Sequence, residues 1–293
     1  IIGLSSLFIN GLNQGVDFVG GRSYVVRFEQ PVSQEKIQSN LIKVLGNAEV
    51  KTFGSDNQLK ITTNYKVDID SSDIDDEINN ILYTDLIEFM PENIAYEDFV
   101  VNGDENKQAG IMSSIKVGPT IADDIKKNSF YAVFGSLIIV FLYILLRFKN
   151  WQFSLGAVSA VFHDVLVVLG IFSLTYSFMP FNMEINQAFI AAVLTVIGYS
   201  LNDTVVVFDR IREYRNINTS WELPRVVDSA LNSTLSRTLN TSFTTLVVLM
   251  SIFVFGGESI RGFMFALIVG VLIGTYSSVF VATPVMYDTL KNK

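Results

Sequence analysis

Cysteine is absent from this 293-residue chain, and histidine occurs once, at position 163. Without thiols there are no disulfides, no zinc–thiolate sites and no cysteine nucleophile, and the redox compartment leaves no mark. A single imidazole leaves almost no room for histidine metal sites or catalytic triads. Positive charge is also short. The 21 Lys and Arg against 29 Asp and Glu give a net charge of −8, which argues against nucleic acid, whose phosphates would be repelled. Most of the excess lies early, in a run holding Asp68, Asp70, Asp73, Asp75, Asp76 and Glu77.

What is present in quantity is long apolar sequence. Near residue 128 the chain changes from polar and acidic to runs rich in Phe, Val, Leu and Gly. A hydrocarbon core about 30 Å thick needs roughly 20 apolar helical residues to cross it. Five segments qualify, at about 129–147, 152–178, 186–208, 235–256 and 262–287. Five such runs with so few charges weigh against buried helices of a soluble protein. Arg147 and Lys149, then Arg210, Arg212, Arg215 and Arg225, then Lys291 and Lys293 fall on one side if each span crosses once. The positive-inside rule makes that side, with the C-terminus, cytoplasmic, and leaves 17–127 extracytoplasmic. Residues 1–12, IIGLSSLFINGL, are apolar but too short to cross. They read as the trailing end of an earlier span, with a strand or surface helix as the other reading. The expected division is therefore 1–16 as a span end, 17–127 as an outer domain and 128–293 as a five-helix membrane domain.

The outer segment follows a β-α-β-β-α-β order. Strands are expected at 23–29, 48–54, 58–64 and about 109–117, with a turn at Gly54–Asn57. Helices are expected at 33–45, with Ile37, Leu41, Ile42 and Leu45 on one face, and near 73–89, with Ile74, Ile78, Ile81, Leu82 and Leu86. This is the ferredoxin-like split pattern, an α+β domain on an α-helical polytopic membrane protein. It carries no catalytic signature, and a ferredoxin-like fold by itself assigns no function. The acidic run suits a helix N-terminus, and its spacing does not fit an EF-hand loop.

Ionisable residues inside the spans carry the functional signal, because a charge at the centre of a span costs about 2.5–3.5 kcal/mol on insertion scales. Asp203 lies in IGYSLNDTVVVFDR, with Tyr199 and Ser200 on the same helical face and Asn202 adjacent. Its expected partner is Arg237, in SRTLNTSFTT. There Ser233, Thr234, Arg237, Asn240, Thr241, Thr244 and Thr245 draw a polar stripe that is expected to face protein or water. A static ion pair, an arginine reaching to the headgroups and a proton-accepting carboxylate all remain open. His163 and Asp164 form a second polar pair near the middle of the second span. Gly156-xxx-Ala160 and Gly270-xxx-Gly274 fit close helix packing.

Four segments together resemble one known family. DFVGG at 17–21, FHDVLVV at 162–168, IGYSLNDTVVVFDRIRE at 197–213 and LSRTLNTSFTT at 235–245 are similar, in order, to motifs of the SecF family. The resemblance implies six spans, of which residues 1–12 would be the end of the first. It leaves open a separate chain or the SecF half of a fused SecDF. It further implies a bacterial plasma (inner) membrane protein of the Sec translocase, working with SecD, the SecYEG channel and a translocating unfolded preprotein, and driven by the proton-motive force. Asp203 and Arg237 fall on its charged membrane positions, with Asn202, Tyr199, His163 and Asp164 as further proton-coupling candidates. No cofactor is implied; protons are the coupling ion, and sodium would serve a carboxylate equally. Rival readings are a proton-coupled exporter of small solutes or lipids of the resistance-nodulation-division type, an intramembrane aspartyl protease using Asp164 and Asp203, and a purely structural subunit.

Overall fold

The computed structural model describes residues 2–69, 71–92, 94–101 and 107–291. Asp70 of the acidic run and Lys293 of the basic terminus lie outside the described residues. A short helix α1 (Ile2–Ile9) and a single turn α2 (Val16–Val19) lead into strand β1 (Gly21–Arg27). Then come α3 (Gln34–Leu45), β2 (Glu49–Phe53), β3 (Ser55–Thr63), α4 (Ser72–Leu86), the short α5 (Tyr96–Val100) and β4 (Gly110–Val117). The sheet is antiparallel throughout, in the order β2-β3-β1-β4, which is the arrangement the split pattern requires.

Local chemistry sets these elements. Ser33 accepts from the N–H of Lys36 and Ser71 from that of Asp73, so both helices start on a side-chain cap. The apolar faces of α3 and α4 meet the sheet through Ile37, Leu41, Leu45, Ile78, Leu82 and Leu86, all buried against Val26, Phe28, Leu59 and Ile61. Ile42 departs from expectation and is 42% exposed; one residue beyond Leu41, it is rotated about 100° off the buried stripe. The β2–β3 turn is also tighter than expected: Phe53 pairs directly with Ser55 around Gly54, whose φ is +83°. The acidic start of α4 is tied to basic groups of the sheet side. Asp75 pairs with Arg22 and, at 3.0 Å, with Lys116, while Glu77 holds Lys66 and the hydroxyl of Tyr65.

Five helical segments are long and apolar enough to cross a membrane. They are α6 (Pro119–Phe148), α7 (Trp151–Thr175), α8 (Gln187–Ile217), α9 (Leu223–Phe255) and a last stretch in which α10 (Glu258–Ser277) passes through a π-helical turn, Ser278–Ala282, into α11 (Thr283–Lys291). Proline in the first turn starts α6 and α9, where its missing N–H costs nothing. α6 runs without a break from Pro119 into the expected first span, and α9 begins twelve residues before the fourth. α7, α8 and α10 form the packed centre, whereas α6 and α9 leave most of their surface outward.

Both small-residue spacings mark close helix contacts. A methyl group on Gly270 would fall 2.0 Å from Val196, and one on Gly274 would fall 3.0 Å from Ser200, so α10 lies directly on α8. On Gly156 it would stand 2.6 Å from the carbonyl oxygen of Ala282, in the π turn. α1 packs on α7 in the same way, with Gly3 against Gly170 and the hydroxyl of Ser6 3.0 Å from that of Ser173.

The segment DFVGG joins sheet to bundle. Asp17 accepts from the N–H of Gln187 at the head of α8 (3.0 Å), and Phe18 is buried in the bundle core. Gly20 and Gly21 have φ of +74° and +130°, and a Cβ on Gly21 would meet the carbonyl of Thr63 at 2.6 Å, so both positions exclude a side chain. Asn13 and Gly15 exchange backbone hydrogen bonds with Ile185, and Lys60 of β3 pairs with Glu184. At the far end of α8, Asp209 is bonded by Arg147 and Arg212, each at 3.0 Å. The sheet and this basic cluster thus sit at opposite ends of the bundle.

Candidate functional site

Asp203 lies sixteen residues along α8 from Gln187, about 24 Å of helix from the sheet end. It is 3% exposed, and its Oδ2 has no hydrogen-bond partner among the described residues. From α9 the charge of Arg237 acts on it through space, and the buried Ser242 of the same helix holds Thr275 of α10, hydroxyl to hydroxyl, at 2.5 Å. Arg237 makes no ion pair within contact distance among the described residues. It lines a polar cleft of about 320 Å³ between α8 and α9, with Asp209, Arg210, Glu213, Ser233 and Thr234. The cleft also includes Val206, one turn beyond Asp203, so it runs from the basic end of the bundle toward the buried carboxylate. Arg237, the expected partner, therefore bears on Asp203 through space and not by a direct ion pair. The α9 side chain aimed into the bundle at this level is Ser242, and the arginine sits nearer the opening.

The other expected neighbours divide between two carboxylates. Tyr199 donates to Thr245 on α9 at 3.3 Å. Asn202 is exposed on the outer face of α8. Ser200 belongs to Asp164 instead of Asp203: its hydroxyl donates to Asp164 Oδ2 at 2.5 Å. Ser277 of α10 donates to the same oxygen at 2.7 Å, and His163 Nδ1 stands 3.1 Å from Oδ1. Asp164 is fully buried and ties α7 to α8 and α10. His163 is partly exposed, its ring 6.4 Å from that of Tyr276.

The stripe on α9 splits in two. Thr234, Thr238 and Ser242, spaced by four, are buried, while Ser233, Arg237, Asn240 and Thr244 are exposed. Reading the sequence missed Ser242, Thr275 and Ser277. The four-residue rhythm from Thr234 was the available sign for the first; nothing in the run GTYSS distinguished the other two. Among the described residues no group of three His, Asp or Glu gathers to hold a metal.

A bundle of five membrane-length helices with a small antiparallel α+β domain at one end and acids buried in its centre defines a polytopic membrane protein with an outlying α+β domain. Residues 99–292 match the family described as Protein export membrane protein SecD/SecF, C-terminal, and residues 5–32 match the SecD/SecF GG Motif. The chain belongs to the SecD/SecF family. It is 45% identical over 289 residues to the protein translocase subunit SecF of Rhodothermus marinus, covering 98% of this chain and 87% of that one. It is 37% identical to that of Vibrio alginolyticus, covering 93% and 78%. A crystal structure of SecDF, a translocon-associated membrane protein from Thermus thermophilus, superposes with a TM-score of 0.80 at 29% identity. The match covers 99% of this chain and 36% of that longer one. SecDF in its super-membrane-facing form matches with a TM-score of 0.64 at 28% identity, with the same coverage.

Proposed function

We propose that this chain is the SecF subunit of a bacterial protein translocase, using the proton-motive force to move its outer domain and assist export of unfolded preproteins. Asp203 carries the reading: a nearly buried acid midway along a membrane helix, with an unpartnered oxygen, one turn from a polar cleft that holds Arg237. Intramembrane acids of this kind mark ion pathways. A proton falling through about 100 mV yields roughly 2.3 kcal/mol. Protonation removes the charge of Asp203, weakens its attraction to Arg237 and changes the preferred packing of α8 against α9 and α10. The head of α8 is bonded to Asp17, and the preceding loop to Lys60. A shift of α8 is therefore delivered to the sheet, which grips the emerging chain in one pose and releases it in another. Sodium in place of the proton would act on the same carboxylate. On this reading the basic end of the bundle faces the cytoplasm, the sheet lies outside, and no cofactor takes part.

SecD is the proposed partner within the bilayer, beside the SecYEG channel. Arg237, Asn240 and Thr244 on α9 and Asn202 on α8 are exposed at membrane depth, and polar side chains there are expected to face protein or water. With no native cysteine to interfere, single cysteines at 240 and 244 test this by cross-linking to cysteines in the spans of SecD. Cross-links from these positions, and none from the outward apolar position 134 on α6, support the assignment. The reverse pattern removes it.

A further inference from the structure

Serines from two helices converge on one oxygen of Asp164. Ser200 of α8 donates to its Oδ2 at 2.5 Å and Ser277 of α10 at 2.7 Å, and both serines are fully buried. His163 Nδ1 stands 3.1 Å from the other oxygen, Oδ1. A carboxyl oxygen offers two lone pairs and a hydroxyl one hydrogen. The serines therefore fill Oδ2 and leave room for a proton only on Oδ1. Ser200 precedes Asp203 by nearly one turn, about 4.5 Å along α8.

We infer that Asp164 is a positioning residue: it fixes the turn of α8 that leads to Asp203 by accepting hydrogen bonds, and it is not the carrier of the coupled proton. The step rests on Asp203 being the coupling carboxylate. When Asp164 is ionised both oxygens accept, Oδ2 from the serines and Oδ1 from the N–H at His163 Nδ1. With a proton on Oδ1, that oxygen donates to Nδ1 of the other histidine tautomer, and Oδ2 still accepts from both serines. The hold on α8 and α10 is the same in either state. Protonation at this acid therefore has no helix contact to change, whereas Asp203 has an oxygen without a partner among the described residues.

The packing around Asp164 suits a fixed point. Gly274 of α10 lies on Ser200, where an added methyl group would come within 3.0 Å of its Cβ. Past Ser277, the carbonyl of Ala282 in the π turn comes equally close to Gly156 of α7. The last span is thus pressed on α8 and on α7, and Asp164 supplies the polar tie between all three. On the other side of the same turn Tyr199 bonds to Thr245 of α9, so α8 is held from two directions just before Asp203. The polar cleft that runs toward Asp203 is lined by residues of α8 and α9, with none from α7. Asp203 and Asp164 therefore divide the work: one acid borders the cleft's path, and the other sets the depth and rotation of the helix that carries it.

The test is proton-driven translocation in proteoliposomes holding the full chain with SecD and SecYEG, with co-purification and the thermal midpoint in detergent as checks on folding. In Asp164→Asn the carbonyl oxygen can accept from both serines and the amide can donate to His163, so the proton-driven component should persist. Asp164→Leu strands two buried hydroxyls and should lower the thermal midpoint. Adding Ser200→Ala and Ser277→Ala removes those hydroxyls and should restore most of the midpoint. The proton-driven component of this triple variant should still stay roughly tenfold or more below the parent, because a small misplacement of a working group is costly. Loss of the component in Asp164→Asn, with the complex assembled, overturns the inference, since Asp164 would then act through its proton. So does a triple variant that regains both midpoint and export, which would make Asp164 a stabilising contact alone, or one that regains neither. Asp203→Asn separates the two levels: if it keeps the proton-driven component, the reading of Asp203 fails and this inference with it; if both asparagine variants lose the component, only this inference fails.

Discussion

Lys60 in the middle of the sheet and Glu184 in the α7–α8 connection meet as an ion pair whose side chains are 14% and 5% exposed. They lie 124 residues apart in the chain and join the outer domain to the membrane bundle. Removing one member of a buried pair strands the other, at a cost of about 3–5 kcal/mol, whereas replacing both by apolar groups is often near neutral. Glu184→Ala should therefore loosen the sheet from the bundle, seen as faster amide exchange at Asn13–Val16 and in the 183–187 connection. The double change Lys60→Met with Glu184→Leu should recover most of the protection. Strictly additive effects would show that the pair does not hold the junction.

The α8–α10 contact is equally specific. A side chain at Gly270 meets three atoms of Val196 within 2.9 Å, and a β-branched neighbour has little rotamer freedom to yield. Gly270→Ala should destabilise the bundle by about 1–3 kcal/mol, read as a lowered thermal midpoint in detergent. Gly198→Ala, on the same pair of helices but with open space around it, should change little.

Acid should weaken the sheet domain through Asp75. Partial burial raises its carboxyl, but hydrogen bonds from Lys116 and Arg22, with their charges, outweigh that and hold it below the ordinary carboxylate range. A depressed folded-state value stabilises above the unfolded value of about 3.9, and that contribution is lost as pH falls through the folded value. Amide exchange in β1 and β4, corrected for intrinsic rate, should therefore rise below about pH 4, and Asp75→Asn should remove this acid dependence. Parent and variant responding alike to acid would contradict the assignment.

The spans were legible because membrane thickness sets a length that no other element in this chain reaches, and the sheet because its alternation and helix caps agree. Asp203, Asp164 and Arg237 stood out by cost alone, as charges in apolar runs. Their pairing did not. Ser200 shares a helical face with Asp203, yet the approach of α10 at Gly274 turns it toward Asp164. Spacing along one helix ranks neighbours on that helix and is silent about which helix packs against it. The same limit hid Ser242 and Thr275, whose significance is a contact between helices, and the Lys60–Glu184 junction, where neither residue has a local pattern.

The central claim is that Asp203 couples proton flow to export. Its most direct test is proton-driven preprotein translocation in vesicles with SecD restored, comparing Asp203→Asn with the parent chain. The account predicts that the proton-dependent component is lost while the complex still assembles and the proton-independent component persists. Undiminished stimulation by the proton gradient in Asp203→Asn would contradict it and make the site of Asp203 and Arg237 structural.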